Sequence, residues 1–138
     1  MPGAILVDSG ILYALFNRRD KWHEPATAML SAGSEDLIVP AAILGETAYL
    51  LEERSQTSGV IELAGWLSQP RITVEGLLPQ DLRRITVLMS KYPELGFVDS
   101  SVVAIAERML VDTIATTDRR HFSGVRPSHA ERFTLVPA

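Results

Sequence analysis

The strongest constraint on the fold is a series of short apolar runs that alternate with longer segments of helical periodicity. Residues 4–7 and 37–40 are continuously apolar, which is typical of strands buried on both faces of a sheet. Further strands are predicted at 71–74, 113–116 and 133–136. Because helices alternate with these strands, we expect an α/β fold with a mostly parallel central sheet of about five short strands.

The intervening segments predict helices with one apolar face each. One helix begins at Ser9–Gly10, a second carries Pro25 in its first turn, and others cover about 41–53, 60–67, 79–92 and 98–110. In the helix over 79–92, the inward residues are expected to be Leu82, Ile85, Leu88 and Met89. No repeat, low-complexity tract or linker interrupts the pattern, so residues 1–138 are expected to form a single domain.

The chain contains no cysteine, which excludes disulfides, thiolate nucleophiles and cysteine-ligated zinc. Oxygen and imidazole therefore remain as the ligand groups. The first apolar run stops at Asp8 and has no basic segment before it, so neither a signal peptide nor a membrane span is expected there. These observations predict a cytoplasmic protein with no membrane association.

Two acids follow predicted strands at the carboxyl end, where ligands bind in parallel sheets. Asp8 comes directly after the first strand, and Asp118 comes shortly after the fourth. The alternative for Asp8 is a helix N-cap, although Ser9 could serve as well. The alternative for Asp118 is an ordinary turn aspartate.

Two further acids lie on predicted helices. Glu46 is spaced to share an apolar stripe with Ile43 and Leu50, where an unpaired carboxylate is unfavourable. An edge position or an ion pair with an arginine would explain Glu46 equally well. Asp99 stands at the front of a strongly apolar helix, where the helix dipole favours negative charge, so taken alone a structural role is favoured.

The four acids gain significance together, because a parallel sheet could bring two strand ends, a helix front and a helix stripe to one place. A cluster of carboxylates repels itself unless cations neutralise it. Oxygen ligands are preferred by hard cations such as Mg²⁺ or Mn²⁺, which also hold phosphates. The pattern therefore suggests metal-assisted hydrolysis of phosphodiesters.

A net charge of −4 is unusual for a protein that binds nucleic acid. However, subtracting the four proposed site acids from the 17 acidic residues leaves 13, which equals the 13 lysines and arginines. Bound cations would also reverse the local field at the site. The acidity thus weakens the nucleic-acid hypothesis without excluding it.

Four segments around these acids resemble the signature segments of the PIN-domain family, and most of all those of VapC ribonuclease toxins from bacterial toxin–antitoxin pairs. The segments are residues 7–9, 42–46, 97–104 and 114–122. They stand in the family's order, and the resemblance extends through residues 133–137. It implies a PIN-like three-layer α/β/α fold for the chain.

The same resemblance implies an Mg²⁺- or Mn²⁺-dependent endoribonuclease that cleaves structured RNA of the tRNA or rRNA class and inhibits translation. Its products would carry a 5′-phosphate and a 3′-hydroxyl. A cognate VapB-like antitoxin and usually a homodimer are implied as well. Asp8 and Asp99 would hold the principal metal, and Asp118 and Glu46 would complete the shell or bind a second, weaker ion.

Ser9 and Thr116 are the expected donors that orient these carboxylates, with strand-end capping as an equal alternative. Two positions depart from the family pattern. Gly10 stands where a second hydroxyl residue is frequent, and Ser100–Ser101 stand where some members carry an extra acid. These departures leave the number of tightly bound metals open.

Two basic clusters have alternative interpretations. Arg119 and Arg120 could contact RNA phosphates, form a solvated face or contact an antitoxin tail. Arg18, Arg19 and Lys21 have the same alternatives.

The remaining candidates are imidazoles and indoles. For His23, His121 and His129, surface or packing roles are favoured over catalysis. Trp22 and Trp66 are interpreted as packing or dimer contacts in preference to platforms for base stacking.

Other function classes fit less well. A phosphotransfer domain of the haloacid-dehalogenase type needs an acid two residues after Asp8, where Gly10 stands. A response-regulator type needs a lysine after a late strand, and the two lysines, Lys21 and Lys91, are elsewhere. A non-catalytic module that binds RNA or protein through a degenerate PIN-like site remains the main alternative, and four intact acids count against it.

Overall fold

The computed structural model describes residues 3–54 and 57–137 of the chain. This part contains the strands β1 (Ile5–Val7), β2 (Leu37–Pro40), β3 (Ile72–Glu75), β4 (Thr113–Ala115) and β5 (Thr134–Val136). The helices are α1 (Ser9–Phe16), α2 (His23–Ala32), α3 (Leu44–Glu53), α4 (Thr57–Leu67), α5 (Pro79–Lys91), α6 (Phe97–Met109) and α7 (Arg119–Ser123).

The five strands form one parallel sheet in the order β3-β2-β1-β4-β5. The chain builds outward from β1 to β3 and then crosses back to add β4 and β5 on the other side. The register pairs Val7 with Ala115, so that β1 and β4 end side by side. Strand order therefore reverses between β1 and β4, which is where ligands bind in open α/β sheets.

Helices cover both faces of the sheet and give the expected three-layer α/β/α architecture. All residues of β1 and β2 are buried, as their continuously apolar sequences predict. Helix α1 packs on α2 and α3, whereas α5 packs on α6. Helix α6 is buried from Ser100 to Glu107, so the body of the helix after its first turn packs in the core.

The α5–α6 contact is held by arginine–carboxylate pairs. Arg84 donates to both carboxylate oxygens of Glu107, at 2.7 and 2.9 Å. Arg108 pairs with Asp81 and Glu75 at 3.0 Å each. Because Glu107 and Asp81 are buried, these pairs satisfy charges that could not otherwise remain inside.

The inward face predicted for α5 was partly wrong. Leu82 and Met89 are 47% and 39% exposed, whereas Ile85 and Leu88 are buried as expected. Asp81 takes the inward position, because its carboxylate accepts a hydrogen bond from the Leu78 N–H at 2.8 Å and forms an ion pair with Arg108. The stripe at i, i+4 and i+7 thus begins with a paired acid in place of an apolar residue.

Other element boundaries differ slightly from the sequence-based expectation. The predicted helix over 41–53 begins with a short 3-10 turn, Ala41–Ile43, before α3. The predicted helix over 98–110 ends one residue earlier, since Leu110 adopts a left-handed conformation with φ of 56°. Helix α7 was not predicted at all. None of the described helices has the length and apolarity needed to cross a membrane.

Candidate active site

Asp8 and Thr116 lie at the adjoining ends of β1 and β4. The Asp8 N–H donates to the Ala115 carbonyl at 2.9 Å, which continues the sheet by one residue. Asp8 occupies the N-cap position of α1, but its side chain makes no capping hydrogen bond. The capping role considered for Asp8 therefore does not account for its carboxylate.

The Asp8 carboxylate is only partly satisfied, although it is almost fully buried at 3% exposure. Its Oδ2 accepts the Thr116 hydroxyl at 2.8 Å, and its Oδ1 is buried without a hydrogen-bond partner among the described residues. Burial raises the pKa of Asp8 to about 6, although hydrogen bonds from the Ser9 amide and Thr116 oppose the shift. The negative charges of Asp99 and Asp118 raise this pKa further.

Thr116 also connects Asp8 to Asp118. Its hydroxyl oxygen accepts the Asp118 N–H at 2.8 Å while its proton is donated to Asp8. Asp118 is the N-cap of α7, where its Oδ1 accepts the His121 N–H at 3.3 Å. The turn role considered for Asp118 is therefore real, but it engages only one of the two carboxylate oxygens.

Asp99 lies in the first turn of α6, half-buried, with Gly96 as the N-cap residue. Burial raises the pKa of Asp99, and the charge of Asp118 raises it further. The charge of Glu46 acts in the same direction, whereas the hydrogen bond and charge of His121 lower the pKa. Asp8, Asp99 and Asp118 thus influence one another electrostatically from three separate elements.

His121 is the residue that sequence reasoning missed. Its Nδ1 lies 2.7 Å from Asp118 Oδ2 and 3.2 Å from Asp99 Oδ2. The charge of Asp118, and a hydrogen bond and charge from Asp99, raise the pKa of His121 against the opposing effect of burial. The available signal was the i, i+3 spacing of Asp118 and His121 at a helix start, which was not recognised because α7 was not predicted.

Glu46 lies near the site but not where its spacing suggested. The buried face of α3 is formed by Thr47 and Leu51, which continue from Ile43, and Glu46 itself is exposed at the rim. The prediction that Glu46 lies on the buried apolar stripe was therefore wrong. The buried face of α3 passes through the next residue, Thr47, instead. Its charge nevertheless contributes to the raised pKa of Asp99, so Glu46 faces the same cluster.

The remaining candidates take different positions. Ser9 acts on Asp8 through its backbone amide, and no side-chain hydrogen bond from Ser9 occurs among the described contacts. Arg119 is half-buried with one guanidinium nitrogen lacking a hydrogen-bond partner in the described part, whereas Arg120 is exposed. Neither arginine forms an ion pair with a described acid.

The donor set suits a hard divalent cation. Asp99, Asp118 and His121 each offer a ligand atom, and these atoms lie within 4.8 Å of one another. The buried oxygen of Asp8 has no hydrogen-bond partner in the described part of the chain, and burial, together with repulsion between the acids, raises the pKa of Asp8 and Asp99. A cation bound here would stabilise both carboxylates. The carboxylate oxygens of this set match the ligand preferences of Mg²⁺ and Mn²⁺.

Comparison with known sequences supports the interpretation of these segments. A sequence model described as PIN domain matches residues 5–126. Ribonuclease VapC26 of Mycobacterium tuberculosis (strain ATCC 25618 / H37Rv) is 25% identical over 135 residues, which cover 96% of this chain and 100% of that protein.

Solved structures share the fold. VapC20 of Mycobacterium tuberculosis, described as a Sarcin-Ricin loop cleaving toxin, superposes with a TM-score of 0.73 at 21% identity over 80% of this chain and 86% of that one. A toxin–antitoxin complex from Klebsiella pneumoniae gives a TM-score of 0.71 at 20% identity, over 88% and 92% of the two chains.

Proposed function

Because the chain belongs to the PIN-domain family, we propose that it is a divalent-metal-dependent endoribonuclease and the toxin of a toxin–antitoxin pair. The observation that carries the nuclease proposal is the carboxylate of Asp8. It is buried, has an oxygen without a hydrogen-bond partner in the described part, and lies within the field of Asp99 and Asp118. Such an arrangement is unfavourable unless a cation binds there.

The residues proposed to hold the ion are Asp8, Asp99 and Asp118, with Glu46 at the exposed side of the cluster. A bound Mg²⁺ or Mn²⁺ would supply Lewis acidity toward the scissile phosphodiester and toward a water nucleophile. Glu46 is exposed beside the cluster, where it would complete the shell or hold a second ion. Whether one or two ions bind therefore depends on whether Glu46 and His121 contribute to the binding of a second ion.

Each neighbouring group has a distinct task in this proposal. The Thr116 hydroxyl fixes the plane of the Asp8 carboxylate and leaves Oδ1 free to bind. The same hydroxyl holds the Asp118 amide, so that the ends of β1 and β4 move as one unit. His121 can hold a proton on Nδ1 between Asp99 and Asp118, and this proton neutralises part of their charge.

The substrate and partners are proposed from the similar proteins. Ribonuclease VapC26 is named for RNA cleavage, and VapC20 is described as cleaving the Sarcin-Ricin loop. The structure from Klebsiella pneumoniae is a toxin–antitoxin complex. For this chain we propose a structured RNA of the tRNA or rRNA class as substrate, a VapB-like antitoxin as partner, a homodimer as the assembly and the cytoplasm as the location.

The experiment that tests the nuclease proposal is cleavage of total RNA by the purified protein in Mn²⁺ or Mg²⁺, without antitoxin. We expect discrete RNA fragments with 5′-phosphate ends, and no cleavage in EDTA. Asp99→Asn should reduce the rate by roughly 10²–10⁴-fold, since it removes a proposed ligand of the ion. Absence of cleavage by the wild type in either metal would refute the catalytic proposal and favour a binding module.

Asp36→Asn is the matched control. Asp36 is exposed and directly precedes β2. It therefore lies at the amino-terminal ends of the strands, whereas the candidate site lies at their carboxyl ends. It has the same change of charge and shape as Asp99→Asn. We expect Asp36→Asn to cleave RNA at the wild-type rate.

A further inference from the structure

A cleft of about 740 Å³ opens beside the candidate active site. Its walls come from α1, the α1–α2 loop and the end of α3, and they include Tyr13, Arg19, Lys21, Trp22, Arg54 and Thr117. Thr117 stands between Thr116, which holds Asp8, and Asp118. The cleft therefore begins one residue from the proposed metal ligands.

The cleft carries an excess of unpaired positive charge. Arg19, Lys21 and Arg54 are exposed, and none of them forms an ion pair with a described acid. Among the described residues of the wall the one acid is Asp20, which accepts the Trp22 N–H at 2.8 Å. Three free cations against one acid favour an anionic ligand, even though the protein as a whole is acidic.

Two aromatic rings stand among these cations. Tyr13 and Trp22 both line the cleft and are only partly buried. Tyr13 is held in place because its hydroxyl accepts the Asn17 side-chain amide at 2.9 Å. Asn17 also accepts the Arg19 N–H at 3.1 Å, so the loop that carries the cations is tied to the ring. Aromatic rings between cations are the combination that binds single-stranded nucleic acid.

Gly10, at the start of α1, lies in close contact with Thr117 at the end of the cleft nearest the candidate active site. A Cβ atom at Gly10 would collide with the Thr117 hydroxyl, so a larger residue at position 10 would require the Thr117 side chain to rotate. Because position 10 has no side chain, the Thr117 hydroxyl can lie against the start of α1, between the cleft and Asp118.

We propose that this cleft, hereafter the α1–α3 cleft, binds the single-stranded RNA that flanks the scissile phosphodiester. Arg19, Lys21 and Arg54 bind its phosphates, and Trp22 and Tyr13 stack on its bases. The inference rests on the proposed nuclease function and adds the surface that positions its substrate. An acidic or apolar protein segment is the competing occupant, and the free cations together with the partly buried rings that line the cleft favour RNA.

The test is binding of a fluorescein-labelled single-stranded RNA of about ten nucleotides in EDTA, measured by fluorescence anisotropy. The variant carries Arg19→Ala, Lys21→Ala and Arg54→Ala together. We expect its affinity to fall by roughly tenfold to hundredfold at low salt. The slope of log K against log salt should become shallower by about 2, since each lost phosphate contact removes about 0.7.

Arg83→Ala is the matched control, because Arg83 is an exposed arginine on α5 that lines none of the described cavities near the site. It should leave both affinity and salt slope unchanged. A second measurement uses Trp66→Phe, which leaves Trp22 as the one tryptophan of the chain. If Trp22 stacks on a base, RNA should quench the fluorescence of Trp22. Adding Arg19→Ala should then increase the RNA concentration needed for half-maximal quenching.

The proposal is overturned if the triple variant, with an unchanged melting temperature, binds the RNA with wild-type affinity and salt slope. It is also overturned if the triple variant keeps RNA binding but loses binding of the antitoxin protein. Because EDTA removes the metal, this experiment is independent of cleavage. A protein that binds RNA in the α1–α3 cleft but never cleaves it would refute the nuclease proposal alone.

Discussion

The hydroxyl of Thr116 donates a 2.8 Å hydrogen bond to Asp8 Oδ2 and accepts the Asp118 N–H at the same distance. Asp8 and Thr116 are 108 positions apart in the chain, and the pairing of β1 with β4 brings them together. Thr116 is itself fully buried. One side chain therefore orients a carboxylate of one strand end and the backbone of the next.

Thr116→Val tests this relationship. The substitution keeps the β-branched shape but removes the donor to Asp8 and the acceptor for the Asp118 N–H. We expect metal affinity or the RNA cleavage rate to fall by about 10- to 100-fold, the usual effect of losing such an orienting group. Thr116→Ser should retain most activity, and equal activity of the valine variant would show that the hydroxyl does not orient the site.

The raised pKa of Asp8 makes a prediction about stability without metal. Because this pKa is 3.8 in a model peptide and about 6 in the folded protein, the folded state holds a proton that the unfolded chain has lost. The free energy of unfolding in EDTA should therefore decrease as the pH rises from about 4 to about 6. The raised pKa values of Asp99 and His121 act in the same direction. The lowered pKa of Glu107 opposes this change only on the acid side, near and below its usual value of 4.5.

Asp8→Asn isolates this effect. At neutral pH in EDTA it should raise the free energy of unfolding by about 3 kcal/mol, since a shift of about two pKa units corresponds to this amount. Urea unfolding of Asp8→Asn and the wild type at several pH values measures the gain in the free energy of unfolding. It also shows whether this free energy depends less on pH in the variant. A large destabilisation by Asp8→Asn at neutral pH would contradict burial as the cause of the shift.

Metal should largely cancel that difference in stability. Saturating Mn²⁺, at about 100 times its Kd, is expected to stabilise the wild type by about 2.7 kcal/mol. Asp8→Asn and Asp99→Asn should gain much less, because each removes a proposed ligand. Thermal unfolding with and without Mn²⁺ measures the difference, with Asp36→Asn as a variant that should respond like the wild type.

His121 is expected to compete with the metal through its proton. Its raised pKa is caused mainly by Asp118, so the imidazolium places positive charge between two proposed ligands. His121→Gln should therefore bind Mn²⁺ more tightly than the wild type at about pH 6 and equally at about pH 8. Titration calorimetry at both pH values decides the matter, and weaker binding at both would identify His121 as a ligand instead.

The sequence was sufficient for the sheet because β1 and β2 are uninterrupted apolar segments whose lengths limit them to buried strands. The positions of Asp8 and Asp118 followed from the same pattern, since parallel strands align their carboxyl ends. It was insufficient for Glu46 and Asp81. The exposure of Glu46 and the burial of Asp81 depend on the rotation of α3 and α5 about their axes, and ion pairs such as that of Asp81 with Arg108 override the apolar pattern.

The contact of His121 with Asp99 could not be predicted from spacing. It depends on α7, a helix of five residues whose short length gives almost no periodic signal. It also requires α6 to place Asp99 at the end of β4, which is a tertiary relationship between residues 22 positions apart. Local sequence could suggest the Asp118–His121 pair, but not the third member.

The most direct test of the account is a comparison of RNA cleavage by the wild type, Asp99→Asn and Asp36→Asn in Mn²⁺, in Mg²⁺ and in EDTA. The account predicts metal-dependent fragments with 5′-phosphate ends from the wild type and Asp36→Asn, and loss of at least about 10²-fold in rate for Asp99→Asn. Cleavage that persists in EDTA, or in Asp99→Asn at the wild-type rate, would contradict it.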